Sequence, residues 1–276
     1  AGVVSDDSLA FAFAGSGSGN TVDNDVRAVV GAGSTINAGG ALTLSASDDS
    51  NITADAGGAV LAIADGDSAI AIGASVAINI VNIGVRAAVE DSTVTAGSVD
   101  ISATGMPVID ALTIAGAVSG SNDSVAFGGA GSGSGNDIDS TVEALIVDSV
   151  LTTTSGGVSL LATDAPDITA DAGSGAISVA AGGDSAQAGI AVGAAAATND
   201  IDNVARAAVL NSTVDAAGAA NLGAVSTASI DTLTFGLAGS LAAGDSTSIG
   251  IAGAGSGSGN AVTNTVEALV QGSTLT

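Results

Sequence analysis

The sequence contains no cysteine, no histidine, no tryptophan and no tyrosine, and only 2 prolines among 276 residues. Each absence excludes something. Without His or Cys, catalytic pairs of the Ser-His and Cys-His kind cannot form, and neither can ordinary zinc sites. The lack of cysteine fits an exported protein that needs no disulfide. Basic residues are scarce as well. Lys and Arg total 3 against 28 Asp and Glu, a net charge of −25. Such a chain repels nucleic acid, whose binders carry basic stripes. No apolar run approaches the ~20 residues of a membrane-spanning helix, and the residues carry no signal-peptide pattern. What remains is 46% apolar, mostly alanine and valine, with 41 glycines and 4 phenylalanines. That is too apolar for a disordered acidic chain and predicts a folded one.

One phrase recurs. AGSGSGN closes at Asn20, at Asn136 and at Asn260. It is not a phosphate-binding loop, because no lysine follows it and Asn stands where a dinucleotide fingerprint needs its third glycine. Alignment on the residues that follow reveals a repeat. The segments NTVDNDVRAVV, NIVNIGVRAAV, NDIDSTVEALI, NDIDNVARAAV and NAVTNTVEALV start at Asn20, Asn79, Asn136, Asn199 and Asn260. Their spacings are 59, 57, 63 and 61 residues. The chain therefore reads as a single array of five units, 1–58, 59–116, 117–177, 178–238 and 239–276, the first and last partial. Because the outer units stop in mid-pattern, the sequence is expected to be a window on a longer array, or to have its ends covered by further copies.

The apolar period is two, as in ALTLSAS, SAIAIGASVAINI and VDISAT, which predicts strands throughout. The alanine-rich AGIAVGAAAATND is the one stretch with helical propensity, and its aligned copies are strand-like. Pro107 and Pro166 each stand two residues before an isoleucine that opens a strand, a place where no ladder donor is needed. A Ser-Thr-aliphatic corner recurs at Ser34, Ser92, Ser212 and Ser273, with Ser149 as its variant. A strand-rich unit repeated five times with no core of its own buries itself by stacking. The predicted fold is therefore all-β: a parallel β-solenoid of flat, wide coils with a Gly/Ala/Ser-rich interior.

In such a stack, equivalent positions lie about 4.8 Å apart. Asn20, Asn79, Asn136, Asn199 and Asn260 are read as an inward amide ladder, with the preceding glycines letting two sheets approach closely. All three basic residues share one column. Down the units it runs Arg27, Arg86, Glu143, Arg206, Glu267. Alternating signs help only if these are direct neighbours, so the column favours one wide coil per unit over three short ones. The units also alternate in type. Odd units place Phe11, Phe127 and Ile249 where even units place Ala71 and Ala188, which predicts large side chains stacked on small ones and a super-repeat of two units.

These columns, with phrases such as AIGASVAINIVNIGVRAAVEDSTVTAGSVDISA, resemble the repeat regions of giant bacterial surface adhesins of the filamentous-haemagglutinin type. The resemblance covers the whole chain and is one of repeat pattern. It implies a secreted, fibre-like β-solenoid stalk at the cell surface, and it carries over no catalytic residues. This chain departs from that class in its much longer unit.

The expected function is a non-enzymatic structural segment of an extracellular fibre, stalk or adhesin, with no cofactor. Its partners would be copies of itself or further repeats of the same chain, end to end or laterally, with any surface or glycan ligand elsewhere in the full protein. The alternative is a calcium-dependent module. Asp7, Asp67, Asp123, Asp184 and Asp245, each before a serine, could form a carboxylate column, and Asp23/Asp25, Asp137/Asp139 and Asp200/Asp202 flank the Asn ladder. An ice-binding solenoid ranks behind these, because a Thr-x-Thr face is not regular. A carbohydrate-cleaving β-helix ranks last, because its groove would need aromatic and basic groups.

Overall fold

The computed structural model describes residues 1–6, 9–182 and 184–276. Among them are 19 strands and no helix. The first coil comprises β1 (Gly2–Ser5), β2 (Leu9–Val30), β3 (Thr35–Asn37) and β4 (Ala41–Asp48). The second comprises β5 (Asn51–Ala64), β6 (Ser68–Glu90), β7 (Thr93–Ala96) and β8 (Ser98–Gly105). The third comprises β9 (Val108–Ser121), β10 (Val125–Val147), β11 (Val150–Thr153) and β12 (Val158–Asp164). The fourth comprises β13 (Asp167–Ala181), β14 (Gln187–Leu210), β15 (Thr213–Asp215) and β16 (Ala220–Ser226). The fifth holds β17 (Ser229–Ala243), β18 (Ser248–Gln271) and β19 (Thr274–Leu275).

Equivalent strands of successive coils pair in parallel, giving four sheets. A broad sheet stacks β2, β6, β10, β14 and β18; a facing sheet stacks β1, β5, β9, β13 and β17. A short end sheet (β3, β7, β11, β15, β19) and a return sheet (β4, β8, β12, β16) complete the circuit. Each repeat unit is therefore one wide coil. The alanine-rich stretch is strand in β14 like its copies, because its alternate residues enter the same interior and its backbone is paired on both sides. Pro107 and Pro166 sit at the corner before β9 and β13, where their carbonyls accept from the amides of Asp167 and Ser229, both at 3.0 Å.

The coil is a wedge in cross-section. At its thick end, isoleucines, leucines and valines of the broad, end and return sheets and of the start of the facing sheet form one core, including Ile101, Ile109, Ile138, Leu151 and Leu160. Burying each such side chain contributes roughly 1.5–3 kcal/mol. At its thin end the broad and facing sheets meet through a core built almost wholly of alanine, such as Ala62, Ala69, Ala117 and Ala191. Inward glycines allow that approach. A Cβ on Gly58, Gly73, Gly128 or Gly189 would fall 2.8, 2.5, 2.9 and 2.7 Å from a carbonyl oxygen of the opposite sheet. These are not the glycines of AGSGSGN. That run points its serines inward and its glycines outward, where a Cβ on Gly19, Gly131 or Gly255 would meet nothing within 4 Å.

Unit lengths differ only in the turns. Val125 pairs with Ser68 and Leu151 with Val94, both 57 residues apart. Val158 pairs with Val99 at 59 and Ala188 with Val125 at 63. The extra residues lie in the connection after β11 and in the turn after β13, so the strands keep their register.

Candidate functional site

The best-defined polar feature is the line of asparagines through the broad sheet. Asn20, Asn79, Asn136, Asn199 and Asn260 are register partners in successive coils. Each Nδ2 donates to the Oδ1 of the next: Asn20 to Asn79 at 2.9 Å, Asn79 to Asn136 at 2.8 Å, Asn136 to Asn199 at 2.7 Å and Asn199 to Asn260 at 2.8 Å. The direction is the same at every step, so the amide dipoles add along the stack. Asn79 and Asn136 are buried.

A second ladder runs at the corner between the broad and end sheets. Every coil has a residue in the left-handed region there: Ala32, Asp91, Asp148, Asn211 and Gly272. Asp, Asn and Gly tolerate that conformation, and Ala32 is the exception. A serine follows in each coil. The amides of Ser92, Ser149 and Ser212 donate to the Oγ of the serine one coil on, at 3.1, 3.0 and 3.0 Å. The repeated Ser-Thr signature marked this corner in the sequence, but nothing in the sequence showed that its hydroxyls bond between coils.

The charge column consists of register partners Arg27, Arg86, Glu143, Arg206 and Glu267. It resolves into separate pairs. Arg86 Nη1 bonds Glu143 Oε2 at 2.6 Å and its other nitrogens bond Glu90. Arg206 lies 3.3 Å from Glu267. Arg27, level with the like-charged Arg86, turns to Asp25 of its own strand at 2.6 Å.

Two expectations about columns are corrected by the register. Phe11 lies level with Ile70, not Ala71, and Phe127 lies between Ile70 and Ile190, so these large side chains stack on one another. Ala71 points inward at the level of Ala12 and Gly128. Only Ile249 has the small partner foreseen, Ala188. The aspartates before serine do not form one column either. The ladder sets Val125 opposite Ser68, so Ser124, not Asp123, comes level with Asp67, and Ser124 Oγ donates to the Asp67 carbonyl at 2.8 Å. Turn lengths shift the phase by a residue. Asp184 and Asp245 lie in the equivalent turns of later coils, and Asp7 lies outside the described residues. Among the described residues no three acidic groups converge as a metal ligand set.

Carboxylates do gather elsewhere. On the outer face of the broad sheet Asp137 is level with Asp200, and Asp139 with Asp202. Partial burial, then the charges of Asp200, Asp139 and Asp202, hold Asp137 above the usual carboxylate range. Inside the thick end, two further carboxylates occupy one column of the return sheet, on either side of Gly105. Asp48 accepts from Asn24 at 2.7 Å and from the Ser50 amide and hydroxyl at 3.0 and 2.6 Å. Burial pulls its pKa upward, and these bonds more than offset it, so the net shift is down. Asp164 is fully buried with a single bond, from Ser140 Oγ at 2.7 Å, and its Oδ2 has no partner. Burial pushes it up to about 6 against that bond. Sequence reasoning missed both, because Asn24 and Ser140 reach them from across the coil; only Ser50 is a local partner, of Asp48.

No protein-family model matches the chain, and neither does any curated protein or solved structure.

Proposed function

We propose that this chain is a non-enzymatic structural segment of an extracellular fibre, stalk or adhesin on a bacterial surface, and that it builds length by stacking β-coils. One observation carries the reading: the same register runs through all five coils although the units differ in length. Each coil adds one layer of about 4.8 Å whatever its residue count. The inner amides and the corner serines support this, because the asparagine and serine ladders bond from coil to coil. The acidic, cysteine-free composition supports a surface location. Low-dose electron diffraction of the native material tests the first half. A meridional spacing near 4.8 Å is expected, and its absence would remove the fibre. Protease shaving of intact cells tests the second half. Release of these repeats is expected, and their protection until lysis would remove the surface location.

A further inference from the structure

The outer face of the broad sheet divides at the Asn ladder. On the thick side it carries Asp137, Asp139, Asp200, Asp202 and the charge column. On the thin side, from Leu9 to Gly19 and at the equivalent positions of every coil, it carries no charged residue at all, in a chain with 28 acidic ones. Several of its side chains stand more than half exposed, among them Phe11, Phe13, Ile78 and Ile251 at 53–58%.

This plate is corrugated. One outward column reads Gly17, Val76, Gly133, Ala196, Gly257 and the next reads Gly19, Ile78, Gly135, Thr198, Gly259. In these two columns coil 2, and to a lesser height coil 4, form ribs, and coils 1, 3 and 5 are troughs floored by backbone; nearer the preceding turn the column of Phe11, Ile70, Phe127, Ile190 and Ile251 is filled in every coil. Along these columns large side chains recur every second coil, about 10 Å apart.

We propose that this plate pairs two copies of the chain face to face. A two-fold axis parallel to the strands runs the two arrays antiparallel. It sets coil 2 of each copy on coil 3 of the other and coil 1 on coil 4. Val76 and Ile78 then enter the trough of Gly133 and Gly135 of the second copy. Phe11 and Phe13 are covered by Ile190 and Val192. Three observations select a second copy as the occupant. Under one closed symmetry operation the large residues Ile72, Val76 and Ile78 of coil 2 meet Gly129, Gly133 and Gly135 of coil 3, while Phe11, Ile70, Phe127 and Ile190 form an apolar contact beside them. The plate is the one part of the broad sheet's outer face where two chains of charge −25 meet without apposing carboxylates. Four coils of eleven residues present about 690 Å² per copy, or about 1,400 Å² in total, within the range of stable interfaces. Acidic groups border the plate on both sides: the turn aspartates Asp65, Asp67 and Asp123, and the Asp137 group. Like charges then face each other at the rim, so sodium chloride strengthens the pairing.

Sedimentation velocity of the full chain across micromolar concentrations tests this, at low and high sodium chloride. A closed dimer is expected, favoured by salt. Gly133→Ile fills a trough from the outside and leaves the interior untouched. It is expected to weaken the dimer roughly tenfold or more, with the melting temperature unchanged at concentrations where both proteins are monomeric. The chain has no cysteine, so a mixture of Val76→Cys and Gly133→Cys copies reports the register. The mixed disulfide is expected to form faster than either homodimeric one. A monomer at every concentration and salt overturns the proposal. So does a dimer indifferent to Gly133→Ile, preferential Val76→Cys self-linkage, or an open-ended series of oligomers, which is the mark of end-to-end stacking. The axial spacing of the fibre does not depend on any of these outcomes, so lateral pairing and the fibre reading fail separately.

Discussion

An asparagine amide both donates and accepts along a stack, and position 136 needs both. Asn136 accepts from Asn79 and donates to Asn199 inside a buried column. Asn136→Ala leaves one donor and one acceptor unpaired, at roughly 1–3 kcal/mol each. Asn136→Asp can accept but not donate, and buries a charge. Urea unfolding is expected to show both variants destabilised, with the Asp variant recovering on acidification; equal midpoints for all three proteins would mean the ladder bonds carry no stability. Asp164 is the opposite case, a residue the fold tolerates rather than uses. Its folded pKa, about 6, lies above the ordinary 3.8. The folded state therefore binds the proton more tightly than the unfolded one. The destabilisation is absent below about pH 4, grows as pH rises to about 6, and is constant above, reaching on the order of 3 kcal/mol. Asp164→Asn, which keeps the acceptor for Ser140, is expected to raise stability at pH 7 and to flatten the pH profile between 4 and 6. A variant profile parallel to the wild type would mean that Asp164 stays ionised in the fold.

At the scale of strands and columns, the sheets are held close by glycine on one side and paired by charge on the other. Gly73→Val would drive a Cβ to 2.5 Å from the Gly116 carbonyl. It is expected to cost roughly 3 kcal/mol, the upper range for overpacked cores, while the same change at Gly131, which faces open space, should be close to neutral. Equal melting temperatures for the two would mean that the sheets can separate. Glu143→Arg sets four arginines in successive coils and removes the partner of Arg86. A loss of stability that salt relieves is expected, with Glu143→Gln costing about 1 kcal/mol or less. A salt-independent loss would point to packing instead. These elements also show what a sequence can reveal. The strand period, the single wide coil and the Asn and Arg/Glu columns were legible because the marker residues sit inside long strands, where register cannot slip. The Phe11/Ala71 and Asp67/Asp123 columns were misread because they were counted from turns, whose length varies by a residue or more. The orientation of AGSGSGN was legible but misread: alternation counted back from the inward Asn20 puts Ser18 and Ser16 on the inner face, so the glycines between them face outward. The Asp164 site was hidden because Ser140 reaches it across the coil and not along the chain.

For the whole molecule, a coil is a module only if removing one leaves the rest in register. Deleting residues 80–136 joins Asn79 to Asp137 and takes out one complete turn of the solenoid. A cooperatively folded array of four coils is expected, shorter by about 5 Å in small-angle scattering. An unfolded product would show that the coils are not interchangeable. The parallel register has a mechanical consequence as well. Between coils 2 and 3 the broad sheet alone contributes 23 paired positions, from Ser68 and Val125 to Glu90 and Val147. A load spread across a whole coil and directed along the axis strains all of these bonds side by side, so none can break until many do. A load applied through the backbone at one end meets them singly and undoes the coil like a seam. The material is thus stiff when gripped by its faces and weak when pulled by its thread, and the two attachments should give very different rupture forces on the same protein.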